Sequence, residues 1–114
     1  MTFDELTEFK KDLKNLLKKY RTLNEDLKVV KKVLEISPDE RPPFNFRINN
    51  LGLETCVAKV KKTACKSFKG KGANSGLRLV YAYFLEEQKI TFVELYHRNE
   101  IKNEDKKRII SNFK

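Results

Sequence analysis

Leu6, Phe9, Leu13, Leu16, Leu17 and Tyr20 recur at intervals of three and four, and Lys10, Lys11, Lys14, Lys18 and Lys19 fill positions between them. That period puts the apolar side chains on one stripe of a helix and the lysines on its other faces. Its start is open to two readings. Thr2 with Glu5 matches a capping box, while Thr2 to Leu6 also reads as a short edge strand ahead of the helix. After a turn around Arg21 to Leu23, Asn24 suits the N-cap of a second helix, with Glu25 and Asp26 in its first turn. Leu27, Val30, Val33 and Leu34 form its apolar side. Ser37-Pro38 should end it, because proline lacks an amide hydrogen and disfavours helical backbone in the residue before it.

The period then changes. Three prolines, Asn49-Asn50 and Gly52 mark residues 37–53 as an irregular connection, with a short extended piece at Phe46 to Ile48. Thr55 to Lys62 alternates loosely, and Leu77 to Leu85 and Ile90 to Tyr96 are rich in β-branched and aromatic residues. Glu86 to Lys89 supplies a hairpin turn between the last two. Asn103 to Phe113, apolar at Ile109, Ile110 and Phe113, predicts a short final helix. The fold class expected is α+β: two N-terminal helices packed on a small antiparallel sheet of three to four strands, with a short C-terminal helix. The sheet face away from the two helices is expected to be open and functional.

At 114 residues the chain has room for one domain, taken as residues 1–114. The longest apolar run, Val80 to Leu85, is far short of the roughly 18 residues of a membrane span. MTFDELTEF lacks the basic and then apolar layout of a secretory signal, so a cytoplasmic location is expected and no membrane partner. Cys56 and Cys65 are too few for a disulfide framework and lack zinc-ligand spacing, so they read as reduced structural thiols.

Charge changes this picture through its distribution. Residues 1–40 hold nine Lys/Arg and nine Asp/Glu, residues 41–75 hold eight and one, and residues 76–114 hold eight and six. The net charge of +9 therefore comes mainly from the middle third, +7 against 0 and +2. A block almost free of acids concentrates positive potential and attracts polyanions, nucleic acid first among them.

Within that block, Lys59 and Lys61 share one side of a strand, and Lys66, Lys69 and Lys71 carry the charge onto a loop with Gly70, Gly72 and Gly76. A lysine run also fits a solvated strand edge protected against aggregation. Arg78 lies among Leu77, Leu79, Val80 and Tyr81, where it is either an inter-strand ion-pair partner, for instance of Glu94, or a planar fork for a phosphate. Tyr96, His97 and Arg98 close the last strand, and His97 is the chain's single histidine.

The segments KVKK, SGLRLVYAY and ITFVELYHRNE, followed by a short basic helix, resemble the RelE/ParE toxins, in particular the RelE and HigB ribonuclease branch. The resemblance extends in outline over nearly the whole chain and is most specific over residues 56–100. It implies the toxin half of a type II toxin-antitoxin system: a metal-independent endoribonuclease without cofactor, cleaving messenger RNA on the ribosome and held in check by a cognate antitoxin. By the same resemblance Arg78 binds the phosphate, Lys59 and Lys61 activate or stabilise charge, and Tyr96 or His97 moves protons. Lys62, Lys66, Lys69, Lys71 and Arg98 then hold RNA. The chemistry is coherent, because RNA carries its own nucleophile and asks only for cations and proton shuttles. A metal-dependent nuclease needs clustered carboxylates, and residues 41–75 offer Glu54 alone. Two rivals use the same features: a gyrase-inhibiting ParE-like toxin on the same scaffold, and a non-catalytic RNA- or DNA-binding module.

Overall fold

The alternating segments form the centre of a sheet. The computed structural model describes residues 1–39, 42–61, 63, 65, 67 and 75–113. In chain order these form β1 (Thr2–Glu5), α1 (Thr7–Leu17), α2 (Leu23–Ile36), β2 (Asn45–Arg47), β3 (Cys56–Val60), β4 (Leu77–Phe84), β5 (Lys89–His97) and α3 (Lys106–Phe113). The strands lie in the order β1-β5-β4-β3-β2.

The sheet therefore has five strands, not three to four, and it is mixed. β2, β3, β4 and β5 pair antiparallel, while β1 pairs parallel with β5. Thr2 to Glu5 is thus the edge strand of the two readings, not a capping box. α2 begins two residues earlier than expected, with Thr22 rather than Asn24 at its N-cap. Thr22 and Asp26 are bonded side chain to side chain at 2.8 Å, which ties that turn together. α2 ends at Ser37 as the proline requires. α3 starts at Lys106, and the Asp105 carboxylate accepts the Arg108 N–H at 3.1 Å, an ordinary N-cap bond.

Period two divides the strands between two cores. Ala58, Val60, Leu77, Leu79, Tyr81, Ile90, Phe92 and Leu95 face α1 and α2 and pack with Phe9, Leu16, Leu23, Leu27, Val30 and Leu34. The opposite face is not open. Val57, Val80, Ala82, Val93 and Tyr96 lie beneath Ile109, with Ile48, Leu51, Leu53, Phe84 and Phe113 packed around them. α3 covers this face because Ile109 and Phe113, one turn apart, otherwise leave an apolar stripe in water.

Polar bonds fasten α3 in place. Past the end of β1, the free edge of β5 is met by side chains: Leu95 N–H donates to Asp12 and the Val93 carbonyl accepts from Arg108. Asp12 and Arg108 are themselves paired at 2.7 Å. The register of β4 on β5 shifts between Val80 and Tyr81, so Val93 is an extra residue at this point. Beside it, the Glu94 carboxylate accepts the Asp105 N–H at 2.8 Å. Among the described residues, no helix is long and apolar enough to cross a membrane.

Candidate functional site

Strand register assembles the site. Phe46 pairs with Lys59, Lys59 with Val80, and Val80 with Glu94, forming one row across the sheet. The next row holds Arg78 opposite Tyr96, with Lys61 beyond the end of β3, its carbonyl accepting from Arg78 Nη1 at 3.0 Å. Side chains two residues apart on a strand share a face, so Lys59, Lys61, Arg78 and Tyr96 all belong to the α3 side.

Each has a defined environment. Lys59 reaches Glu104, in the loop before α3, at 2.6 Å, and both are largely shielded from solvent. The Lys61 ammonium sits 4.8 Å from the centre of the Phe46 ring. Arg78 donates to the Lys61 and Leu77 carbonyls. Glu94 is not its partner: that carboxylate is bonded to Asp105 N–H. Burial, then the nearby charge of Arg98, lowers the Arg78 pKa from its usual value. A guanidinium with no carboxylate partner among the described residues is poised to attract an anion.

Tyr96 is 2% exposed. Burial above all, and then the carboxylates of Glu104 and Glu94, raise its hydroxyl pKa well above the ordinary phenol range, against a smaller opposing effect of Arg78. It is a neutral hydroxyl at any physiological pH, able to donate a hydrogen bond or a proton but not to act as a resident base.

His97 is not brought into this group. It neighbours Tyr96 in a strand and so points to the other face, where its ring stacks on Tyr20 at 6.0 Å. Its Nδ1 accepts from Asn99 N–H, and its Nε2 lies 2.9 Å from the Ser75 carbonyl, which a proton on Nε2 satisfies. The ring also presses on Gly76, where an added Cβ would lie 2.8 Å from Nε2. Gly76 has φ of +88°, so the position favours glycine twice over. Arg98 is exposed just beyond β5 and joins the site through its field on Arg78. Lys62, Lys66, Lys69 and Lys71, with Gly70 and Gly72, lie outside the described residues.

Two members were missed from sequence. Glu104 lies in a charged loop with no pattern to mark it, and Phe46 sits on a three-residue strand. Together with Arg47, Ile48, Asn49, Lys59, Lys61 and Lys106 they line a groove of about 260 Å³. Cys56 is half-buried and Cys65 buried, both as free thiols. Among the described residues, no three His, Cys, Asp or Glu side chains gather as a metal site would require.

Solved structures share this architecture. The archaeal RelE-RelB complex from Pyrococcus horikoshii contains a chain 17% identical, with a TM-score of 0.54, over 85% of this chain and 93% of that one. A metal-bound toxin from Helicobacter pylori is 23% identical, with a TM-score of 0.50, over 89% of this chain and 98% of that one. A copper-bound mutant toxin from the same organism is 17% identical with a TM-score of 0.51. No protein-family model matches the chain, and neither does any curated protein sequence. The chain thus has a RelE-like toxin fold.

Proposed function

We propose that this chain uses its RelE-like fold as the toxin of a toxin-antitoxin pair, cutting messenger RNA without a metal and restrained by a partner protein. The observation that carries the reading is the placement of Lys59, Lys61, Arg78 and Tyr96 in adjoining rows on one sheet face. The 2′-hydroxyl of RNA attacks the neighbouring phosphorus and gives its proton to solvent water; the P–O2′ bond forms as the P–O5′ bond breaks, leaving a 2′,3′-cyclic phosphate and a 5′-oxygen that needs a proton. Arg78 and the two lysines stabilise the charge that builds on the phosphate oxygens. Tyr96, neutral and acidic enough only for a strongly basic leaving oxygen, donates the proton to that oxygen. In this scheme His97 holds the β4–β5 end in place, and proton transfer falls to Tyr96.

The archaeal RelE structure was solved with RelB bound, which supports a protein partner for this chain as well. Such a partner should be acidic where it covers residues 59–71. One observation favours a second reading: Tyr96 lies under α3 with Lys59 closed off by Glu104, as a non-catalytic RNA-binding face could be. Turnover separates them. Purified protein should cut RNA, with or without translating ribosomes, in the presence of EDTA, and should leave a substrate with deoxyribose at the cut site intact. Cleavage of the deoxy substrate at the same rate, or loss of cleavage in chelator, would overturn the mechanism. Binding without any cleavage would establish the second reading.

A further inference from the structure

We infer that Phe46 is a stacking platform for the base of the nucleotide next to the reacting phosphate. The inference rests on the RNA-cleaving reading and deepens it by assigning a base subsite that the four central residues do not provide.

Phe46 lies on β2, at the edge of the sheet opposite β1, paired directly with Lys59 and on the same face. Its ring is half-buried and lines the groove of about 260 Å³ that Lys59, Lys61 and Lys106 also line. Lysines lining an open groove beside an aromatic ring, one of them over the ring itself, make a poor protein core and a good seat for a single-stranded nucleotide. The charges track the phosphates, and the ring meets the flat face of a base. Glu104 is the single acid in that lining among the described residues, and its carboxylate is already bound to Lys59 as a phosphate oxygen would be. The Lys61 ammonium over the ring holds the space of a base in the free protein. A half-exposed cation–π contact is weaker than base stacking on the same ring, so an arriving base can displace the lysine, which then turns to a phosphate. Stacking on a flat ring is tolerant of sequence, so the platform should accept any base and favour purines for their larger face.

The test uses the full chain and a short single-stranded RNA with 2′-fluoro groups, which cannot be cut through a 2′-oxygen. Phe46→Leu should weaken binding about tenfold, while binding of inorganic polyphosphate, which offers charge and no base, stays as in the unaltered protein. The chain has no tryptophan, so Phe46→Trp introduces a single reporter. It should bind RNA at least as well as the original, with its fluorescence quenched as the base stacks, and polyphosphate should cause no such quenching. Full RNA affinity in Phe46→Leu, or an unquenched Trp at saturating RNA, would overturn the platform even if Leu destabilised the fold. If Arg78→Ala abolishes cleavage in either of those cases, the proposed function stands and the subsite alone is wrong. If the unaltered protein neither binds nor cuts RNA, both fall.

Discussion

Arg78 has two jobs with different signatures. It bridges β4 to the end of β3 through the Lys61 carbonyl, and it presents to the site a guanidinium with no carboxylate partner among the described residues. Arg78→Lys keeps the charge but loses the planar fork. It should cost about 1 kcal/mol from the lost bond, lowering the melting temperature by about 5 °C. Cleavage, assayed well below both melting points, should fall by about 10²-fold. A variant that melts lower yet cuts at the original rate would reduce Arg78 to a strut. Tyr96 is tested by removing its hydroxyl. Tyr96→Phe should slow cleavage by about 10²-fold or more. The raised pKa also has a consequence in the unaltered protein: because Tyr96 keeps its proton through the usual tyrosine range near about 10, the rate should not fall with the profile of an ordinary phenol. A rate that drops through that range, with the drop abolished in Tyr96→Phe, would show that burial does not protect the hydroxyl.

α3 is the element on which the site depends, since its loop supplies Glu104 and its apolar side covers Tyr96. Arg108 donates to both Asp12 and the Val93 carbonyl, so Arg108→Ala leaves Asp12 and the edge of β5 poorly satisfied. The loss should be about 2 kcal/mol, read by chemical denaturation. Glu94 behaves differently, because burial raises its pKa against the help it receives from Asp105 N–H. The folded state then holds this proton to higher pH than the unfolded chain does. Between the ordinary carboxylate value and the raised one, stability contributed by this group falls as pH rises. Glu94→Gln keeps an acceptor for Asp105 and removes the charge. Its melting temperature relative to the original should therefore improve from acid towards neutral pH, and a difference constant with pH would refute the buried-charge account. The position of α3 shows where sequence reading ran out. Amphipathic spacing says that Ile109 and Phe113 must be covered, but does not say by which surface. β3, β4 and β5 were legible because alternation and hairpin spacing are local, whereas β1 pairs with a strand about ninety positions away and its Thr2–Glu5 spacing imitates a helix cap. The separation of Tyr96 from His97 was in reach all along, since adjacent strand residues must face opposite ways.

At the scale of the molecule, the charge that is scattered in sequence becomes directional once folded. α1 and α2 mix lysines with acids, while the α3 side sets Lys59, Lys61 and Lys106 along one groove with the Glu104 carboxylate, and Arg78 in the adjoining row feels the charge of Arg98. In sequence, residues 41–75 hold eight basic residues and one acid. Binding of single-stranded RNA should therefore be driven largely by release of counterions from its phosphates. If about four cations each neutralise one phosphate, the logarithm of the binding constant should fall against the logarithm of salt with a slope near about −3. The internal Lys59–Glu104 pair sharpens the expectation, because RNA must displace Glu104 before Lys59 contributes. Replacing Lys61 by Ala should thus flatten the slope by about 0.7, the share of a single phosphate contact, whereas Lys59→Ala should change it less. The measurement is fluorescence anisotropy of the uncleavable RNA across a salt series. A slope near zero would remove nucleic acid as the ligand of this face. Equal changes from both lysines would mean that Glu104 does not compete with phosphate.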